Sequence, residues 1–428
     1  MTETRYEQLD ETIFRDTLPC GLPVMVVPRK GFSKKLCYLA VDFGSVHTDF
    51  TLDGTAYHVP AGTAHYLEHK LFDMPGDRDV SAEFAQLGAN VNAFTSYDMT
   101  AYYFSCTENF SACLRLLTEF VFTPYFTAES VEKERGIIDQ EIGMNLDSPD
   151  SVIFDRLMAA MFREHPIRVP ILGSRESIRE ITHETLELCH RAFYTPGNCC
   201  LCVIADEDPG EISELVRQVL SDAVRPMGVK FPMPEEAMTC PEGLTRCAMD
   251  IAMPTFCLGF KCESVGLGEA AIRQEIAADL AAEALFGESS QLYLQMYESG
   301  IIDSSFGGGF DCADGCAMLL CSGDSEEPER VREAVLSRAE ALLREGIGAD
   351  YFLRMKRSAL GRRIKGLDSF DGTCFRLCAY HFAGFDYFRF PAIYQDITPE
   401  EVLAFLARVV KPDRCALSVI DPVAEPAI

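Results

Sequence analysis

The sequence predicts a mixed α and β protein built from two tandem, related halves, and two observations carry that expectation. The first is a repeated unit. Ile181-Thr182 opens a helical pattern that runs to Tyr194-Thr195-Pro196-Gly197-Asn198 and an apolar strand from Cys199 to Ala205. Ile397-Thr398 opens another, leading to Lys411-Pro412-Asp413 and a strand from Cys415 to Ile420. Ile181 and Ile397, Pro196 and Pro412, and Leu201 and Leu417 are each 216 positions apart. A constant offset across a whole helix–proline–strand unit marks duplication. The second observation is that short β-branched or aromatic runs alternate with long runs of helical period. At 428 residues, 48% apolar and 24% charged, the chain has the composition of a globular protein and enough length for two to three domains.

In chain order, Leu22 to Val27 and Leu36 to Phe43 read as strands separated by the basic loop Arg29-Lys30-Gly31. Asp53-Gly54 marks a turn, and Pro60-Ala61-Gly62 leads into a helix through His65 that Pro75-Gly76 ends. Ser81 to Leu87 reads as a short helix stopped by Gly88. Two strands follow, Ala89 to Tyr97 and Thr100 to Cys106, the former alternating polar and apolar residues as a half-solvated strand does. Phe110 to Phe122 and Ala128 to Leu146 are long helical patterns. The segment holding Pro226, Pro232, Pro234 and Pro241 shows little periodicity and reads as a linker over 223–243, between an N-terminal domain at 1–222 and a C-terminal one at 244–428. The second half shows helical patterns near Ala270–Phe286, Glu329–Glu345 and Asp350–Lys365. Its strand-like runs are Thr255–Cys262, Ser304–Phe310 and Cys316–Ser322.

The chemistry concentrates in His65-Tyr66-Leu67-Glu68-His69. On a helix His65 and His69 stand one turn apart on one face, and Glu68 shares it. Two imidazoles so placed can hold one Zn²⁺, and a neighbouring carboxylate can take a proton from a metal-bound water. The order is the inverse of the H-E-x-x-H zinc motif. Helical histidine pairs also occur as structural groups satisfied by hydrogen bonds. A structural Cys₄ or Cys₂His₂ site is disfavoured, because no CxxC pair lies nearby. A zinc held by two histidines needs a third protein ligand, which draws attention to Glu134 and Glu141, seven residues apart and so on one face of the Ala128–Leu146 helix. The second half has a single histidine, His381, and cannot repeat the site.

Net charge is −28, from 38 basic and 66 acidic residues, which disfavours nucleic acid and anionic membrane surfaces as partners. The 18 cysteines follow no disulfide framework and fit a reducing compartment. The first residues are polar, with no signal-peptide apolar core, and no apolar run reaches 18 residues. A cytoplasmic location is expected.

Taken together, His65-Tyr66-Leu67-Glu68-His69-Lys70-Leu71-Phe72, Asn92-Ala93-Phe94-Thr95-Ser96 and Glu134-Arg135-Gly136-Ile137-Ile138-Asp139-Gln140-Glu141, in this order, resemble the pitrilysin/insulinase metallopeptidases. The likeness continues into Tyr194–Asn198 and the two-half organisation, and is closest to the short bacterial, processing-peptidase-like members. It implies halves that are each a mainly antiparallel sheet covered by helices on one face. It also implies zinc, one per chain, on His65, His69 and Glu141, with Glu68 as general base on the zinc-bound water and Glu134 as a supporting carboxylate. The strand Asn92, Ala93, Phe94 and Thr95 becomes an edge that takes an extended peptide by strand addition. The function implied is a zinc-dependent endopeptidase acting on peptides or unfolded segments, the alternative being a non-catalytic assembly or peptide-holding subunit. Active family members supply an Arg and a Tyr from the second half. Here Gln291 stands in the Arg position, and no Tyr lies near Asp303 in sequence. A heterodimer with a zinc-free homologue is therefore expected, or otherwise a homodimer.

Overall fold

The computed structural model describes residues 1–76, 78–220 and 228–423. Its residues form two compact units, each centred on one sheet. The first unit comprises Met1–Ile142, Pro170–Pro232 and Ile364–Arg389; the second comprises Gly143–Val169, Met233–Arg363 and Phe390–Ile428.

The sheet of the first unit has seven strands in the spatial order Thr2–Tyr6, Glu11–Thr17, Pro23–Pro28, Cys199–Ala205, Lys35–Val41, Thr100–Cys106 and Asn90–Thr95. All neighbours are antiparallel except Cys199–Ala205 beside Pro23–Pro28. The second unit has five strands, ordered Leu244–Met249, Cys415–Pro422, Thr255–Cys262, Cys316–Asp324 and Gly307–Ala313, and again has one parallel pair, here between its first and last strands in sequence. The register repeats too. Leu201 faces Val24 and Leu39, and its counterpart Leu417 faces Leu244 and Leu258. The duplication seen in the sequence is thus a duplication of topology.

The repeated helix–strand unit has a local cause. Thr182 and Thr398 are N-caps of the helices His183–Phe193 and Pro399–Val409, each closing a capping box. Ile181 and Ile397, just before the caps, are buried, as are Leu186 and Val402 one turn in, the positions of a hydrophobic staple. Pro196 and Pro412 then start short 3₁₀ turns that hand the chain to the parallel strand. The mainly antiparallel sheets and two homologous halves agree with the expected fold class.

Each half's own helices cover one sheet face; the other face is covered by a helix from the opposite half. Phe370–Phe382 lies on the strands Lys35–Val41 and Cys199–Ala205 of the first sheet, its Cys374 and Cys378 against Cys202 and Cys200. Conversely, Pro149–Met161 packs on Cys415–Pro422 and Thr255–Cys262 of the second sheet. There Gly259 permits the approach, since a Cβ would stand 2.4 Å from Met161 Sδ and 3.2 Å from Leu157. These two helices are one element of the repeat. Leu146-Asp147-Ser148-Pro149-Asp150 matches Leu367-Asp368-Ser369-Phe370-Asp371 at an offset of 221, and Ser148 and Ser369 are both N-caps, accepting from the Ser151 and Gly372 N–H groups. Of the expected linker, residues 223–227 lie outside the described residues. Val229 and Lys230 pair with Leu52 and Thr51 in a small three-stranded sheet. The strand expected at Ser304–Phe310 is Gly307–Ala313. Among the described residues no helix is long and apolar enough to cross a membrane.

One ion pair in the second unit makes its stability pH-dependent. Burial would raise the Glu236 carboxyl, but the buried Lys261 ammonium at 2.9 Å and the N–H groups of Glu164, His165 and Arg163 outweigh it and hold the pKa at about 2, against 4.5 for a free Glu. A depressed folded-state pKa means stability that is fully present above the unfolded value and lost as pH falls through the folded one. The urea midpoint is therefore expected to fall between about pH 4.5 and 2. Glu236→Gln should lower the midpoint at neutral pH, by leaving Lys261 buried without its counter-charge, and should flatten that acid slope. Equal acid slopes for the two proteins would refute the assignment.

Candidate metal centre

The His65 helix, Thr63–Lys70, is only eight residues long and would not hold in water alone. Tertiary packing holds it. Tyr66 and Leu67 are fully buried, and the Tyr66 hydroxyl donates to the Val131 carbonyl on the helix Ala128–Leu146. Gly62 starts the helix at φ 91°, where a Cβ would lie 2.5 Å from the Leu172 carbonyl oxygen, so glycine is required. Ala128–Leu146 is fixed in turn by Arg135, which donates to the Ile178 and Ile181 carbonyls at 3.2 and 3.0 Å. The two helices that carry the candidate ligands are thus tied together close to them.

The expected ligands converge. His65, His69 and Glu141 place their donor atoms within 4.8 Å of one another, the only such group of three among the described residues. Both imidazole Nε2 atoms lie 3.6 Å from the same Glu141 Oε2. That is long for a hydrogen bond. It is near the edge of a tetrahedron with metal–ligand bonds of 2.0–2.1 Å, about 3.3 Å. The other nitrogen of His69, Nδ1, is 3.0 Å from Glu134 Oε1, the carboxylate partner that metal-ligating histidines commonly keep, which orients the ring and sets its tautomer. His65 Nδ1 is buried with no hydrogen-bond partner among the described residues. The donor set fits Zn²⁺.

Glu68 stands beside this group and outside it. It is buried, which raises its pKa; the Thr95 hydroxyl, donating to Oε2 at 2.6 Å, and the two histidines pull the other way without cancelling the rise. Glu134 is lowered chiefly by its bond to His69, and Glu141 chiefly by His65. Burial depresses His69, but the Glu134 bond and the nearby carboxylates more than offset this, so its net shift is upward. A bound cation would favour the ionised carboxylates and neutral imidazoles.

The strand Asn90–Thr95 is the last of its sheet, paired on one side only, with Thr100–Cys106. Side chains alternate along it. Val91 and Ala93 pack towards the helices, and Thr95, on the same face, reaches Glu68. Phe94, on the opposite face, contacts Tyr103, Tyr38 and Phe375, while the Asn92 side-chain oxygen Oδ1 accepts from the Ala93 N–H. Of the four residues expected to bind peptide, only Thr95 brings its side chain to the metal group. The bond from Thr95 to Glu68 and the docking roles of Tyr66 and Arg135 had no signature in the sequence, where Thr95 was expected only as part of the peptide-binding edge and the other two read as ordinary helix residues. In the second unit Gln291 opens the helix Gln291–Glu298 and is exposed. Tyr293, ten residues before Asp303, comes within its electrostatic range: burial, then Glu288, Tyr297 and Asp303, raise that phenol.

A duplicated α/β fold with an inverted histidine motif on one half and none on the other defines a two-domain metallopeptidase of the insulinase kind. The chain belongs to the M16 peptidase family: residues 33–175 match the model for insulinase, peptidase family M16, and residues 180–359 match the M16 inactive domain. The uncharacterized zinc protease YmfH of Bacillus subtilis is 35% identical over 426 residues, covering 97% of this chain and 98% of that protein. A second Bacillus subtilis protein of that description, YmxG, is 28% identical over 219 residues, half of this chain. The crystal structure of a putative M16-like peptidase from Alicyclobacillus acidocaldarius superposes with a TM-score of 0.93 at 31% identity, covering 96% of this chain and 99% of that one. A protease from Helicobacter pylori shares the fold, with a TM-score of 0.82 at 18% identity and coverage of 96% and 99%.

Proposed function

We propose that the chain is a zinc-dependent endopeptidase that hydrolyses extended peptides or unfolded segments. The observation that carries this reading is the convergence of His65, His69 and Glu141 beside a buried carboxylate, Glu68, that is not one of the three. His65, His69 and Glu141 would hold one Zn²⁺. When bound, that ion acidifies water and polarises a carbonyl. Glu134 holds the His69 ring through Nδ1. Glu68 takes the proton of the attacking water on its carboxylate and returns it to the nitrogen of the leaving amine. Backbone groups on the open side of Asn90–Thr95 pair with an extended peptide, an arrangement that tolerates many sequences because main-chain bonds do the holding. A stable folded domain, whose backbone groups are already paired, would be a poor substrate.

The matched description of residues 180–359 as an inactive domain favours, as a second reading, a chain that holds peptides without cutting them. That stretch begins after the last candidate ligand, and residues 33–175, which match the insulinase model, keep the complete donor set.

The absence of Arg at position 291 supports a further element: a zinc-free homologue that completes the site and excludes water from it. Zinc content and cleavage of a mixed peptide library test both parts. Purified alone, the chain should bind one zinc and cut slowly. Adding the homologue should raise the rate by about two to three orders of magnitude. Full activity at every concentration without a partner would overturn the partner requirement. Absence of both zinc and cleavage, with and without it, would overturn the peptidase reading.

A further inference from the structure

We infer that Thr95 is a positioning residue for Glu68, acting through the carboxylate rather than on the substrate; the inference rests on the peptidase reading above. A glutamate side chain has three rotatable bonds, and a general base works only when its free oxygen is aimed at the water it deprotonates. The Thr95 hydroxyl donates to Glu68 Oε2 at 2.6 Å, and no other hydrogen bond to Glu68 is present among the described residues. One carboxylate oxygen is thereby pinned, and Oε1 is left for the water.

The donor's proton is committed. A hydroxyl has one proton to give. Thr100 Oγ1, 3.5 Å from Thr95 Oγ1, spends its own on the Phe43 carbonyl at 2.8 Å and does not compete for Glu68. Thr95 in turn sits on stiff backbone. It is the last residue of its strand, opposite Thr100 in register, and the turn that follows is closed by Ser96 N–H to the Met99 carbonyl at 2.7 Å and by Ser96 Oγ, which accepts from the Met99 N–H. Gly44 lies so close beneath that turn that a Cβ there would be 2.5 Å from Tyr97 and Asp98 backbone atoms. The hydroxyl is therefore held by the hairpin, and the hairpin's outer strand is the one an extended peptide would join. The base and the peptide-binding edge share one residue.

Steady-state kinetics with a cleaved library peptide test this, alongside zinc analysis. Thr95→Val keeps the shape and removes the donor. It should lower kcat about ten- to a hundredfold, with KM and zinc content unchanged, because only the aim of the base is lost. Thr95→Ser restores the hydroxyl and should recover kcat to within about threefold. In a Glu68→Gln background Thr95→Val should add no further loss, since residues that act as a unit are not additive. A Thr95→Val enzyme with wild-type kcat overturns the inference. So does a loss carried by KM, or one that Thr95→Ser shares. A wild-type chain that neither binds zinc nor cleaves, with and without the homologue, overturns the peptidase reading, and this inference with it.

Discussion

Glu68→Gln is expected to purify with a full complement of zinc and to lose hydrolysis by a factor of about 10²–10⁴, whereas His65→Ala and Glu141→Gln are expected to lose the metal itself. The difference follows from where the groups stand. The His65 and His69 Nε2 atoms and Glu141 Oε2 form the donor triangle, with its two 3.6 Å edges on Glu141. Glu68 is next to that triangle but hydrogen-bonded elsewhere, to Thr95. Gln at position 68 retains an oxygen that can accept the Thr95 proton, so the local packing survives and only the proton acceptor is removed. Gln at position 141 takes away the anionic oxygen on which both imidazoles converge. Metal analysis of the three purified variants, followed by peptide cleavage, checks the division of roles. A metal-free Glu68→Gln protein, or one that cleaves at the wild-type rate, would show that the roles are wrongly assigned.

A fragment ending at residue 222 is expected not to fold as a stable domain, although it contains every candidate ligand. In the intact chain the second face of its sheet is covered by Phe370–Phe382, which brings Phe370, Cys374, Leu377 and Cys378 onto it. Leu36, Tyr38, Ala40, Cys200, Cys202 and Ile204 alternate onto that face and are almost wholly buried. Exposing a large apolar side chain costs about 1.5–3 kcal/mol, so re-exposing Leu36, Tyr38 and Ile204 together with their three smaller neighbours takes away much of the stability of a domain, about 5–15 kcal/mol. The isolated fragment should bind hydrophobic dye and aggregate. The same fragment joined through a flexible linker to residues 364–389 should unfold cooperatively and bind zinc. Cooperative unfolding of the fragment on its own, with zinc bound, would count decisively against this account.

Much of the molecule was legible residue by residue. The Ala128–Leu146 helix and the Cys199–Ala205 and Thr255–Cys262 strands have the bounds that their periodicity suggests. The duplicated caps at Thr182 and Thr398 explain why the 216-residue offset could be read at all. Such features are encoded within a dozen residues, by side-chain period, capping side chains and proline, and need no knowledge of the rest of the chain. The histidine pair was legible for the same reason, since i and i+4 on a helix are neighbours wherever that helix goes.

What the sequence determined by itself, then, was the chemistry available at each local element and the fact of duplication. The tertiary structure alone decided what meets what. Glu141 reaches His65 from 76 residues away because Tyr66 and Arg135 anchor two helices to each other and to a loop. Thr95 meets Glu68 because a hairpin ends there. Phe370–Phe382 and Pro149–Met161, one element of the repeat, each cover the sheet of the opposite half, although an apolar helix face carries no label for the sheet it will bury. Burial is non-directional and rewards any well-packed apolar partner, so the choice among distant partners belongs to the whole chain and not to any segment of it.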